Sequence, residues 1–157
     1  MASATCGHCK KESDIEGCPK ARCEEKEDFR KQTTVDRVVK LVKNFAATNK
    51  TILLWIAIPC TGGSPWQYVW DAVAQRSSPD DQERHKERQK AHIKLFRGLF
   101  QSFISLWNQI SGSPNTFYAI EWPRACRYWK CIHVKKFLAG QKNMRILDFD
   151  GCAYGLR

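Results

Sequence analysis

Cys60 follows a proline at the end of an apolar run, and the next four residues, Thr61, Gly62, Gly63 and Ser64, read as a turn. A thiol at such a bend, ahead of a helix, sits where free N–H groups and the helix dipole favour thiolate and therefore nucleophilic attack. The plainer alternative is a buried structural cysteine. The two glycines let backbone N–H groups converge at the strand tip. Glu121 ends a second apolar run, a setting in which desolvation raises a carboxyl pKa and suits it to donate a proton or a hydrogen bond; its alternative is pairing with Arg124 or Arg127. Four further thiols crowd the N-terminus. Cys6 and Cys9 form a Cys-x-x-Cys knuckle around His8, and Cys18 and Cys23 a looser second pair. Four thiolates, or three with His8, suit a tetrahedral zinc site, set against an unfolded tail with incidental thiols.

These groups need elements to position them. Residues 1–31 carry almost no large apolar side chains and read as a charged, Cys-rich extension, with residues 32–157 as one domain. Val35, Val38, Val39, Val42 and Phe45 mark a helix capped by Thr33 or Thr34. Residues 51–58 read as a strand buried on both faces, and Trp66, Val69, Trp70 and Val73 as a helix over about 65–76. Ser77, Ser78, Pro79, Asp80 and Asp81 form a break of N-cap composition. The long helix that follows is charged over 83–94, which reads as a solvated face, with a projecting basic helix that touches nucleic acid as the alternative, and then places Phe96, Leu99, Phe100, Phe103, Ile104, Trp107 and Ile110 on one side. A strand at 116–121, a helix at 124–138 closed by Gly140, and a third strand at 144–149 complete the pattern. Alternating strands and helices imply parallel pairing through right-handed crossovers, with all strand tips on one rim. The expected fold is α/β, a three-layer half-Rossmann arrangement with a short, mostly parallel sheet.

The chain has 157 residues and a formal charge of +10, which favours an anionic partner, nucleic acid before a membrane surface. From Trp122 to Leu147 stand Arg124, Arg127, Lys130, Lys135, Lys136, Lys142 and Arg145 with no acidic residue among them. Interleaved Trp122, Tyr128 and Trp129 complete the composition that opened nucleic acid needs, although their helical spacing suits a core equally. Ser64, at the end of the glycine turn, joins Arg124, Arg127, Lys130, Lys135 and Lys136 as candidate nucleic-acid contacts. The N-terminus lacks an apolar signal segment and no run is long enough to span a bilayer, which predicts a reducing cytoplasmic or nuclear compartment. A cysteine hydrolase pairing Cys60 with His85, His92 or His133 has no local signature.

Pro59-Cys60 after one strand and Ile120-Glu121-Trp122-Pro123 after the next resemble, in order, the Pro-Cys and Glu-Asn-Val motifs of the cytosine-5 DNA methyltransferase family. Asp150-Gly151-Cys152-Ala153-Tyr154-Gly155-Leu156 is more faintly similar to the segment that follows there. Methylase-like reading frames of retroelements and phages look closer still to Pro-Cys-Thr-Gly-Gly-Ser and Glu-Trp-Pro-Arg. The resemblance implies Cys60 attacking C6 of a flipped cytosine, Glu121 contacting the ring N3, and S-adenosylmethionine as methyl donor. No Phe-x-Gly-x-Gly donor motif stands ahead of Pro59. The alternative from another class is a non-catalytic, basic nucleic-acid-binding accessory protein of a mobile element or virus, with a protein partner or a larger polyprotein around it.

Overall fold

The computed structural model describes residues 27–148. Helix α1 (Gln32–Ala47) buries Val35, Val39, Val42 and Ala46, the three- and four-residue recurrence of one helical face. It starts earlier than a threonine cap would place it: Lys31 is extended, and Lys31 N–H donates to the Asp28 carbonyl. The turn this closes folds Phe29 into the core at 2% exposure, ahead of the boundary expected at residue 32.

Strand β1 (Ile52–Ile56) is followed by α2 (Trp66–Gln75), α3 (Pro79–Ile110) and strand β2 (Thr116–Ile120), then by a 3-10 turn (Arg127–Lys130) and α4 (Ile132–Ala139). Ser78 caps α3 as its composition predicts, its hydroxyl accepting from Asp81 N–H at 3.2 Å, with Pro79 in the first turn. The two strands pair in parallel, Ile52 opposite Thr116 through Ile56 opposite Ile120. Both are entered through an asparagine in the left-handed region, Asn49 at φ 56° and Asn115 at φ 54°, a conformation asparagine tolerates better than most side chains. The helix expected over 124–138 is broken, because Cys131 is extended between the 3-10 turn and α4.

The strand at residues 51–58 is shorter than expected and buried on one face only. Ile56 is buried and Ile52, Leu54, Tyr118 and Ile120 pack towards the core, while Leu53, Trp55 and Phe117 are exposed on the other face. Helices α1 and α3 contact one another on the covered side, so the described residues form two layers rather than three. The expected third strand is not formed over 144–148, where Ile146 and Leu147 are exposed; residue 149 lies outside the described residues. What is established is a mixed α/β fold built on a two-stranded parallel sheet. Its core is aromatic: Phe96, Phe100 and Phe103 of α3 meet Tyr118 of β2, Trp122, Tyr128 and Phe137 of α4. Among the described residues no helix is long and apolar enough to cross a membrane.

Candidate functional site

The glycine turn after β1 is a packing surface. A side-chain carbon added at Gly63 would lie 2.7 Å from the Tyr128 ring, and one at Gly62 would lie 2.7 Å from the Tyr128 hydroxyl and 2.9 Å from Cβ of His92. Tyr128 is clamped from the far side by Phe96, stacked at 3.6 Å between ring centroids and 8° between planes. Arg127 N–H donates to the Gly63 carbonyl at 2.7 Å, fixing the 3-10 turn onto the loop. Neither glycine has a positive φ, so close approach, not backbone freedom, is what requires them here. The Tyr128 hydroxyl is buried against the Gly62 backbone without a hydrogen bond of good geometry, and that burial pushes its pKa up.

Cys60 is half-buried and packs against the hydrophobic core. Helix α2 begins only at Trp66, which removes Cys60 from the helix N-terminus expected to activate it. Glu121 is exposed rather than desolvated, and its carboxylate accepts from the Trp55 indole N–H at 2.9 Å on the open face of the sheet. The two candidate catalytic groups therefore leave the strand tips in different directions, one towards the core and one towards the open face. Glu121 also pairs with neither expected arginine: Arg124 reaches Asp148 at 3.7 Å and Arg127 reaches Asp71. Of the histidines considered for Cys60, His92 adjoins the turn, His85 is held by Asp71 and His133 lines a cavity on α3. Two thiols that the sequence reading passed over, Cys126 and Cys131, lie near Cys60 and Tyr128; burial pushes Cys126 up to about 11 and raises Cys131 as well.

Arg127 belongs to a structural network. Asp71 of α2 accepts from Gln89 at 3.2 Å and from Arg127 at 3.3 Å, and bonds His85 Nε2 at 2.9 Å. Gln89 in turn donates to Gln67, which donates to the Thr61 carbonyl. The Arg127 guanidinium lies 4.0 Å over the Tyr68 ring. The His85 hydrogen bond, with Arg127 behind it, holds the Asp71 carboxyl below its ordinary range despite partial burial. A carboxyl depressed by folding contributes stability above its unfolded pKa and loses it as pH falls through the folded value. Asp71→Asn is expected to cost about 1 kcal/mol at neutral pH, reduced from a buried charged bond by exposure. In urea titrations, the gap between Asp71→Asn and the parent should close as pH falls below the carboxylate range; a gap independent of pH would reject the ionised network.

The other candidate cations are better placed for ligands. Lys130, Lys135 and Lys136 are exposed and, among the described residues, take no carboxylate partner; Arg124 is exposed with a long contact to Asp148, and Ser64 caps the turn by accepting from Trp66 N–H at 3.3 Å. Trp122 and Tyr128 are core, as their spacing allowed: the Trp122 indole donates to the Ile58 carbonyl at 2.9 Å. A row of cations runs along α3, beginning in the charged segment whose two readings are a solvated face and a nucleic-acid contact. Lys90, Lys94 and Arg97 line one cavity of about 380 Å³ with Ile93. Arg97 then lines a second, of about 330 Å³, with Phe96, Gly98, Phe100, Gln101 and His133 of α4. None of the three cations has a carboxylate partner among the described residues. Their spacing by four and three residues puts them on one helical face, which was the available signal.

Neither of these two cavities is lined by Cys60, Glu121 or the glycine turn. The proposed zinc ligands Cys6, Cys9, Cys18 and Cys23 lie outside the described residues. Among the described residues, no three His, Cys, Asp or Glu side chains are grouped to hold a metal. Comparison of the chain with family models, curated proteins and solved structures finds no match.

Proposed function

We propose that this chain is a basic nucleic-acid-binding protein that holds phosphates in the groove between α3 and α4. The observation that carries the reading is the row Lys90, Lys94, Arg97, unpaired among the described residues and ending at a cavity that Arg97 lines together with His133. From Lys90 to Arg97 is about 10 Å of helix axis, the axial span of about three phosphate steps on one duplex strand. Exposed Lys136 follows His133 by three residues on α4, on the same side of that helix. A formal charge of +10 supplies the long-range field that draws a polyanion in.

Methyl transfer fits the geometry less well. The order strand, Pro59-Cys60, glycine turn, helix, strand, Glu121 supports a methyltransferase-like origin. Chemistry on a base would need the thiol and the carboxylate to face one substrate, and Trp55 holds Glu121 on the open face while Cys60 packs on the core.

The test is fluorescence anisotropy with a labelled oligonucleotide, single- or double-stranded, over a salt series. Log affinity is expected to fall linearly with log salt, and the triple variant Lys90→Ala/Lys94→Ala/Arg97→Ala should reduce the slope by about 2 to 3. A flat salt dependence, or an unchanged slope in the triple variant, would reject the groove as the site.

A further inference from the structure

The face of the sheet turned away from α1 and α3 is a small aromatic platform. Phe117 of β2 stands opposite Leu53 of β1, and Trp55, two residues further along β1, lies on the same face. All three are open to solvent, Leu53 at 59%, Trp55 at 52% and Phe117 at 57% exposure. Trp55 is fixed by its indole N–H, which donates to the Glu121 carboxylate at 2.9 Å and leaves the ring half exposed. Beyond the outer edge of β2 run residues 144–148. The Tyr118 hydroxyl donates to Met144 Sδ at 3.5 Å and Arg124 meets Asp148 at 3.7 Å, so this segment follows β2 in the same direction, from the middle of the strand past its C-terminal end. It brings exposed Arg145 to that edge, near exposed Arg124.

We propose that this face stacks unpaired bases of a single-stranded nucleic acid on Phe117 and Trp55, with the phosphates held at the outer edge of β2 by Arg124 and Arg145. The inference rests on the reading of the chain as a nucleic-acid-binding protein and adds a second contact, on the side of the sheet opposite α3. Three observations select the occupant. The exposed groups include two aromatic rings beside cations, and every base has a π-face that such rings accept whatever its sequence. The face is also small. Two strands of five residues span about 10 Å by 16 Å, which suits the two or three bases that a sheet surface stacks and falls far short of the ~800 Å² that a protein partner covers. The charges complete the match: both arginines stand at the rim, while Glu121 keeps phosphates off the stacking surface and leaves it to neutral bases. Arg124 stays available, because its long, exposed contact with Asp148 is worth little. A duplex keeps its bases inside its own stack and has none to offer.

Fluorescence anisotropy on the full chain with three labelled probes of equal length decides the matter: oligothymidylate, the same strand with abasic sites throughout, and a duplex. Oligothymidylate is expected to bind most tightly. Trp55→Ala and Phe117→Ala should each weaken it about five-fold or more, as for loss of one base–aromatic stack, with the salt slope unchanged because no charge is removed. Trp55→Phe should keep most of the affinity while losing the quenching of tryptophan emission that a stacked base produces. Arg124→Ala/Arg145→Ala should lower the salt slope by about 2. Circular dichroism and urea midpoints check that each variant is folded. Equal affinity for the abasic strand and oligothymidylate, or an affinity untouched by both alanine substitutions at the rings, would overturn the proposal, as would a chain that binds no single strand. Failure of the α3 site is read separately, as an unchanged salt slope in Lys90→Ala/Lys94→Ala/Arg97→Ala, so either contact can fall while the other stands. Self-association abolished by Trp55→Ala, with oligonucleotide affinity unchanged, would overturn the platform in favour of a protein layer on the sheet.

Discussion

Phe103→Ala is expected to remove about 3–5 kcal/mol of stability, against a total of about 5–15 kcal/mol for a domain of ordinary stability. Phe103 is fully buried, and its ring makes edge contacts with Tyr118 of β2 at 5.4 Å and Phe137 of α4 at 5.3 Å, with Phe100 at 5.9 Å. It is therefore the point at which α3 joins the sheet to the C-terminal helix. Two parallel strands alone expose most of their backbone and do not stand unaided, so the aromatic layer on their covered face supplies the burial that holds them. The cavity left by alanine cannot close easily, because the rings around it also support one another. Phe117→Ala, one residue from Tyr118 but on the open face, is the internal comparison and should cost well under about 1 kcal/mol. Urea unfolding of both variants measures the contrast. Equal losses would mean that the two faces of the sheet are not distinguished by burial, and the two-layer description would fail.

The elements whose sequence pattern met a matching environment were the legible ones. The apolar spacing of α1 and of the second half of α3 matched the face that each buries, and the Ser78-Pro79 start of α3 was readable because capping is local chemistry. The strands were placed but their surroundings were misjudged: a continuous apolar run does not distinguish burial on two faces from one buried and one bare. Residues 144–148 have strand-like composition, but pairing is decided by a neighbour, and among the described residues no strand pairs with Ile146 and Leu147. For α2 the period marked the helix but not its facing, because the direction of a helix is set by Asp71, Gln67 and their partners in α3, which lie far along the chain. The same limit hid the site. Cys60 and Glu121 were chosen as strand-tip residues, and topology did bring both tips to one rim, since Glu121 N–H donates to the Ile56 carbonyl. Rotation about the strands then sent the two side chains to different places. The cations along α3 were visible as a charge run, but only the position of His133 on α4 shows that the run ends at a cavity, beside Arg97.

Gly63→Ala is expected to be among the most damaging single-methyl additions in the chain, at or above the about 1–3 kcal/mol usual for overpacking. The added carbon would meet three ring atoms of Tyr128 at 2.7, 2.9 and 2.9 Å. That ring cannot retreat, because Phe96 stacks on it at 3.6 Å and Trp122 abuts it edge-on at 5.8 Å. The loop cannot move outward without breaking the 2.7 Å bond from Arg127 N–H to the Gly63 carbonyl, and Arg127 anchors the network that orients α2. Strain at one residue is thereby delivered to the 3-10 turn, to α4 behind it and to the groove wall that carries His133. The decisive experiment is a double-mutant cycle. Tyr128→Leu alone removes the ring and costs stability, but in that background Gly63→Ala should lose most of its penalty, a coupling of at least about 1 kcal/mol between residues in contact. Additive losses would show that Gly63 is required for another reason, such as N–H groups gathered for a ligand at the strand tip. Tyr128→Phe separates the ring from its hydroxyl. It should leave the Gly63→Ala penalty intact and change the stability of the parent chain little, since the buried hydroxyl it removes makes no hydrogen bond of good geometry.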